Sequence, residues 1–241
     1  MNKICLVSLL LLLPGLAPLH AQSAESANTL MMTEVLFEQS EPGIAPYRVR
    51  MLFNASYLRL DDGNDDDAQG YILYDRSSHE IHNFNHEDQS HLLMKPLAHT
   101  PIEFKLNFRV DKTGLKDAPR IKGEVALQYD YYADDQLCKT SVNVVGLLVD
   151  LTAALIDYEQ ALVEQNKQTL SEIPGSVRTA CYMANNYLHA SDYLQTGFPL
   201  HVIDDQGKQR RLVSFSQVSK PAALLQQIAG YRLYFANPAN L

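Results

Sequence analysis

From Tyr47 the chain alternates. Val49, Met51, Phe53, Ala55 and Tyr57 fall on one face, and Arg48, Arg50, Asn54 and Ser56 on the other. A period of two marks a half-buried strand. Ahead of it, Thr29 to Glu38 begins a first strand and Pro42-Gly43 turns it. Gly70 to Pro96 reads as three short strands, at Tyr71 to Tyr74, His79 to Asn85 and His91 to Met94, joined by two polar turns. The cleanest alternation is Phe104, Leu106, Phe108 and Val110 against Lys105, Asn107, Arg109 and Asp111. Val125, Leu127, Tyr129 and Tyr131 repeat the pattern, Asp134-Asp135-Gln136 turns, and Cys138 to Val145 continues as a strand. Short strands at regular spacing predict an antiparallel meander, built as an open barrel or strongly curved sheet.

The period then changes. Leu147, Leu151, Ala154, Leu155, Tyr158, Ala161 and Leu162 recur every three or four residues, which predicts an amphipathic helix from about Leu147 to Leu170. Pro174-Gly175 breaks it. Val177, Cys181, Ala184 and Leu188 predict a second helix with Ser176 as N-cap. The chain returns to strands at Leu200 to Ile203 and Arg211 to Val218. A short helix over Pro221 to Ile228 follows, then a last strand through Tyr231, Leu233 and Phe235. The expected class is α+β: a curved antiparallel sheet, as an open barrel, covered by a helical hairpin inserted at about 147–196.

The first residues change the picture of where this domain works. One lysine, Lys3, precedes an apolar run from Ile4 to Leu13, and Leu19-His20-Ala21 offers a small residue for cleavage. This reads as a signal peptide over 1–21, with cleavage after Ser23 as second choice. The run falls short of the roughly 20 apolar residues a spanning helix needs. Residues 22–29 read as a disordered polar leader, and 30–241 as a single domain. No other stretch is long and apolar enough to span a membrane, so the exported chain is expected in the periplasm, with secretion beyond it open. Removing Lys3 takes the formal charge from −8 to −9. An acidic chain whose one tight basic cluster is Lys208-Gln209-Arg210-Arg211 argues against nucleic acid and anionic headgroups as partners. Two cysteines remain, Cys138 and Cys181, and an isolated pair in an oxidising compartment is expected to be bridged.

Candidate chemistry is sparse. Asp61 to Asp67 (DDGNDDD) lacks the spacing of a calcium loop and reads as a turn. Asn54-Ala55-Ser56 is a glycosylation sequon, discounted because it falls inside the predicted strand. Five histidines lie between His79 and His99, but His79 and His82 have opposite parity, so no metal or other cofactor is expected. GxSxG, HExxH and SxxK are absent, although a dispersed triad needs no local signature. The order of elements, together with Tyr71-Ile72-Leu73-Tyr74-Asp75 and His79-Glu80-Ile81-His82, resembles uncharacterised exported proteins of the LolA-like periplasmic half-barrel group. That resemblance implies a hydrophobic cavity between sheet and helices and no catalysis. The expected function is binding of a hydrophobic or lipid ligand, or a lipidated partner, lined by Phe53, Phe104, Phe108, Leu127 and Tyr129. These residues equally suit a filled core. The alternatives are an envelope interaction protein without a cavity, and a hydrolase with a dispersed active site.

Overall fold

A computed structural model describes residues 28–63, 69–115, 118 and 120–236. The expected signal peptide, most of the leader and the second half of the acidic run lie outside them.

The N-terminal half is a run of hairpins: β1 (Thr29–Glu41), β2 (Ile44–Phe53), β3 (Tyr57–Asp61), β4 (Gly70–Asp75), β5 (Glu80–Asn85) and β6 (Ser90–Met94). The three strands and two turns expected over Gly70 to Pro96 are present. The strand expected through Tyr57 is instead a hairpin. Asn54 accepts hydrogen bonds from the backbone N–H groups of Ser56 and Tyr57 and closes a turn there, so the sequon sits in a loop. β7 (Phe108–Gly114), β10 (Leu127–Ala133) and β11 (Gln136–Val144) form a second meander, with a small ribbon of β8 (Arg120–Ile121) and β9 (Glu124–Val125) between. After the helical region come β12 (Phe198–Asp204), β13 (Gln209–Pro221) and β14 (Arg232–Phe235).

The cleanest predicted strand starts late. Ile102, Phe104 and Leu106 alternate as half-buried against exposed neighbours, yet pairing begins only at Phe108 opposite Ala133. β10 ends there, so residues 101–107 have no ladder to join, apart from two hydrogen bonds between Asn107 and Asp134.

The expected class is corrected. Strands take 48% of the chain and helices 19%, so the fold is mostly β. The sheet is one open, mixed layer in the order β14-β6-β5-β4-β3-β2-β1-β13-β12-β11-β10-β7, with β14 parallel to β6. The helical hairpin is also absent. α1 (Val149–Lys167) forms as its periodicity predicts, but the second segment breaks into α2 (Ala180–Met183), a wider π turn over Ala184–Leu188, and α3 (Asp192–Gln195). Thr179, not Ser176, caps α2 by accepting from the Tyr182 N–H. Asn186 donates its side-chain amide to the Tyr182 carbonyl, competing with the helical ladder. Cys181 is tied to Cys138 by the expected disulfide, with Cα atoms 4.9 Å apart.

α1 lies in the hollow of the sheet. Its Leu151, Ala154, Leu155 and Tyr158 join one cluster with Val35, Phe37, Met51, Leu58, Tyr74, Ile81, Tyr131, Val144 and Phe198. In a flat sheet β4 and β11 would stand about 29 Å apart, at roughly 4.8 Å per strand. Here Tyr158 meets Tyr74 of β4, with ring centroids 5.7 Å apart, and shares a cleft with Lys139 of β11. The sheet must curl around the helix. Its outer face is covered too: Met32, Leu52, Tyr71, Leu73 and Phe84 pack beneath Leu224 and Leu225 of a single turn over Ala222–Leu225.

Candidate functional site

Beside α1, the curl leaves a cleft of about 420 Å3 walled by α1, β11, the β12–β13 hairpin and the segment leading into α3. Four charged or ionisable side chains meet at it. Lys139 lies on β11, in phase with Ser141 and Asn143. Ser141 donates to the Tyr131 hydroxyl, and Asn143 donates to the Tyr193 carbonyl and the Thr196 hydroxyl. Alternate positions of β11 thus face α3. Arg210 enters from β13, its guanidinium 5.2 Å from the Phe37 ring. Glu159 comes from α1 and Tyr193 from α3.

These groups form a relay. Arg210 donates through Nη2 to the Tyr193 hydroxyl at 2.6 Å, and that hydroxyl donates to Glu159 Oε1 at 2.5 Å. Lys139 Nζ lies 4.5 Å from the Tyr193 ring centroid and 3.4 Å from the Ala190 carbonyl. Lys139, Glu159 and Arg210 each keep a part of their surface, yet protein surrounds all three. Burial pushes the Glu159 carboxyl up, against the pull of Lys139 and Arg210. It pushes the Lys139 ammonium down and the Tyr193 phenol up. Burial also works against the Arg210 charge, but Tyr193 and Glu159 outweigh it and hold the guanidinium above its ordinary value. Ionisable groups displaced from their ordinary values and gathered in a cleft mark a functional candidate. The walls add amides, Gln39, Asn166, Asn185, Asn186 and Gln209, and among the described residues carry no Ser, Thr, Cys or His.

A larger groove of about 550 Å3 runs along α1 past His79, His99, Asp157 and Glu164. Its charges are mostly matched at the surface: Glu164 accepts from Lys167 at 2.7 Å, from the Thr100 N–H at 3.1 Å, and meets His99 at 2.9 Å. We therefore place the candidate site in the smaller cleft.

None of the five residues expected to line a ligand cavity contributes to the walls of this cleft. Phe53 and Tyr129 are buried within the central cluster, and Phe108 and Leu127 pack against it. Phe108 also stacks on His189, centroids 3.6 Å apart. Phe104 is half-buried in the extended segment before β7. Among the described residues no group of three or more His, Cys, Asp or Glu could hold a metal ion, and no helix is long and apolar enough to cross a membrane.

Sequence reasoning noticed Arg210 only as part of a basic turn and passed over Lys139, Glu159 and Tyr193. A signal did exist. Glu159 is four residues after Leu155, inside the apolar stripe of α1, and Arg210 shares strand parity with Leu212, which packs on the core. Charges on the buried side of an amphipathic element need a reason.

No family model matches the chain, and no curated protein does. Among solved structures, PNGF-II in the C2 space group is similar at 10% identity with a TM-score of 0.42, covering 88% of this chain and 32% of that one. PNGF-II in the P21 space group is similar at 9% identity and a TM-score of 0.41, covering 86% and 32%. The chain thus spans about a third of that protein's length, and a likeness of this size carries no argument about function.

Proposed function

We propose that this chain is an exported, non-enzymatic binding protein that holds a small polar ligand in the cleft between α1 and β11–β13. The observation that carries the reading is the meeting of Lys139, Glu159, Tyr193 and Arg210 in one cleft, among amides and, among the described residues, without a Ser, Thr, Cys or His on its walls. Export is supported by the Cys138–Cys181 bridge and by the signal-like start of the sequence. A polar rather than a lipid ligand is favoured because the apolar face of α1 packs directly on the sheet.

A second reading keeps a hydrophobic ligand. An apolar groove of about 410 Å3 runs past Ile121, Leu200, Leu212 and Phe215, and a short acyl chain would suit it.

Native mass spectrometry of the protein purified from its exported compartment tests both. A polar species retained by wild type and lost from Asn166→Trp, which blocks the cleft rim from an exposed position, supports the first reading. An acyl species insensitive to Asn166→Trp and lost from Phe215→Asp would replace it with the second. Turnover of any released ligand would overturn the non-enzymatic assignment. N-terminal sequencing of the same sample should begin at Gln22 or, failing that, Ala24.

A further inference from the structure

Two cations, Lys139 and Arg210, stand at the cleft beside Glu159, and neither touches a carboxylate directly. Lys139 reaches the Ala190 carbonyl and Arg210 the Tyr193 hydroxyl. The Asp204 carboxylate acts on Lys139 only through space, since it accepts from the backbone N–H groups of Gln206 and Lys208 within its own turn. Lys208 pairs with Glu41 at 2.9 Å. A cation in a partly dehydrated site gains most from a directly bonded anion, and a ligand can supply one here.

The donors are also in place. Arg210 spends Nη2 on Tyr193, and a guanidinium has five N–H groups. None of its nitrogens is among the buried, unpartnered atoms, and Arg210 lines the cleft. The Lys139 ammonium makes one long hydrogen bond, to the Ala190 carbonyl, lies over the Tyr193 ring, and has three hydrogens to give.

We propose that the cleft binds the oxyanion of its ligand, a carboxylate or phosphate ester, between Arg210 and Lys139, with Glu159 standing in its place on the Tyr193 hydroxyl when the ligand is absent. The inference rests on the reading of the cleft as a ligand site and names the chemistry it recognises. A planar guanidinium fork suits both anions, and a lysine beside it acts as a point charge for either.

The test uses the mature, disulfide-bonded protein, labelled with 15N. Inorganic phosphate and succinate are titrated separately at constant ionic strength, following backbone amides and the Arg210 Nε–H. A saturable 1:1 shift centred on the cleft is expected with at least one probe, and the tighter probe names the class. Lys139→Gln and Arg210→Gln should each weaken it about tenfold or more, the scale of losing one close charge partner, while the exposed Lys112→Gln leaves it unchanged. Glu159→Gln should tighten it, because the competing carboxylate is gone. If Arg210→Gln fails to fold, Lys139→Gln and Glu159→Gln carry the test. No saturable shift with either probe would overturn the proposal. So would binding indifferent to Lys139→Gln and Glu159→Gln, which marks an adventitious ion only. A neutral ligand found in the cleft by native mass spectrometry would overturn the oxyanion while leaving the binding site standing. A cleft that holds no ligand at all would remove both.

Discussion

Asp61 is the residue whose loss should cost this fold most for its size. It ends β3 with its carboxylate 1% exposed and serves two arginines. Arg50 grips it with a two-pronged contact, Nε to Oδ1 and Nη2 to Oδ2, both 2.8 Å. Arg59 donates from Nε to Oδ2 at 2.7 Å. The Gly63 N–H adds a further bond to Oδ1 at 3.0 Å. Both guanidinium groups are themselves buried, at 2% and 1%. Arg59 also ties the outer cover to the sheet by donating to the Leu224 carbonyl at 2.7 Å and lying 3.8 Å from the Tyr71 ring centroid.

Asp61→Asn keeps the shape and removes the charge. Glu34, 3.8 Å from Arg50 and partly exposed, is a remote partial substitute for that arginine. Breaking a buried ion pair from one side costs about 3–5 kcal/mol, mostly for the charge left behind. For a domain of this size that lowers Tm by roughly 6–20 °C. The assay is urea unfolding followed by circular dichroism under non-reducing conditions, read as a shifted midpoint at constant slope. A triple variant, Arg50→Met, Asp61→Leu and Arg59→Met, separates a charge penalty from lost packing. With both arginines and Asp61 made neutral, it should recover to within about 2 kcal/mol of wild type, the lost hydrogen bond to the Leu224 carbonyl being a main remaining cost. A loss below about 1 kcal/mol for Asp61→Asn, or a triple variant as unstable as the single one, would refute the reasoning.

Three further outcomes follow from the same geometry. Replacing Cys138 and Cys181 with serine frees a loop of sequence separation 43, and the chain-entropy relation gives a loss of about 4 kcal/mol, measurable in the same unfolding assay. Gly70 opens β4 with φ +110°, and a Cβ there would stand 2.0 Å from the Phe84 carbonyl oxygen. Gly70→Ala should therefore cost about 2 kcal/mol or more, whereas Gly175→Ala, with open space around it, should be near neutral. His82 and His91 share a 2.9 Å hydrogen bond on adjacent strands. Burial pushes both below the ordinary value of 6.5; Glu80 and Asp75 oppose this at His82, while at His91 the His82 charge adds to it and Glu80 opposes. The unfolded chain then takes up protons that the fold resists. Stability is full above about pH 6.5 and is lost as pH falls below it. His91→Gln should flatten the dependence of unfolding free energy on pH between 7 and 5; an unchanged slope would count against these two histidines as its source.

The strands were legible where alternation met a partner, and misleading where it did not. Residues 101–107 alternate as cleanly as any stretch and remain unpaired, because β10 stops at Ala133 and nothing beyond it offers a ladder. Periodicity reports which side chains turn inward. It does not report whether a neighbour's hydrogen bonds are there to be shared. The second helix failed for a related reason: its apolar spacing is helical, yet the Asn186 side chain competes for the Tyr182 carbonyl and the backbone widens into a π turn. Parallel pairing of β14 with β6 left no local trace, since it depends on a long return of the chain across the outer face.

The charged groups follow the same logic in reverse. Arg50 was assigned to a solvent face because its strand alternates, and that face is covered by Leu224 and Leu225, distant in sequence. A two-faced sheet makes both parities internal, so a charge on either one must find a partner inside. On the outer face Arg50 and Arg59 close around Asp61, and the cluster is complete. On the inner face Arg210 reaches Glu159 only through the Tyr193 hydroxyl and Lys139 reaches the Ala190 carbonyl, so neither cation is closed by a carboxylate in direct contact. The same fold has solved the problem of buried arginine twice with different results. The difference between a closed cluster and an open one, rather than the presence of charge in the interior, is what separates the brace on the outer face from the site within the curl.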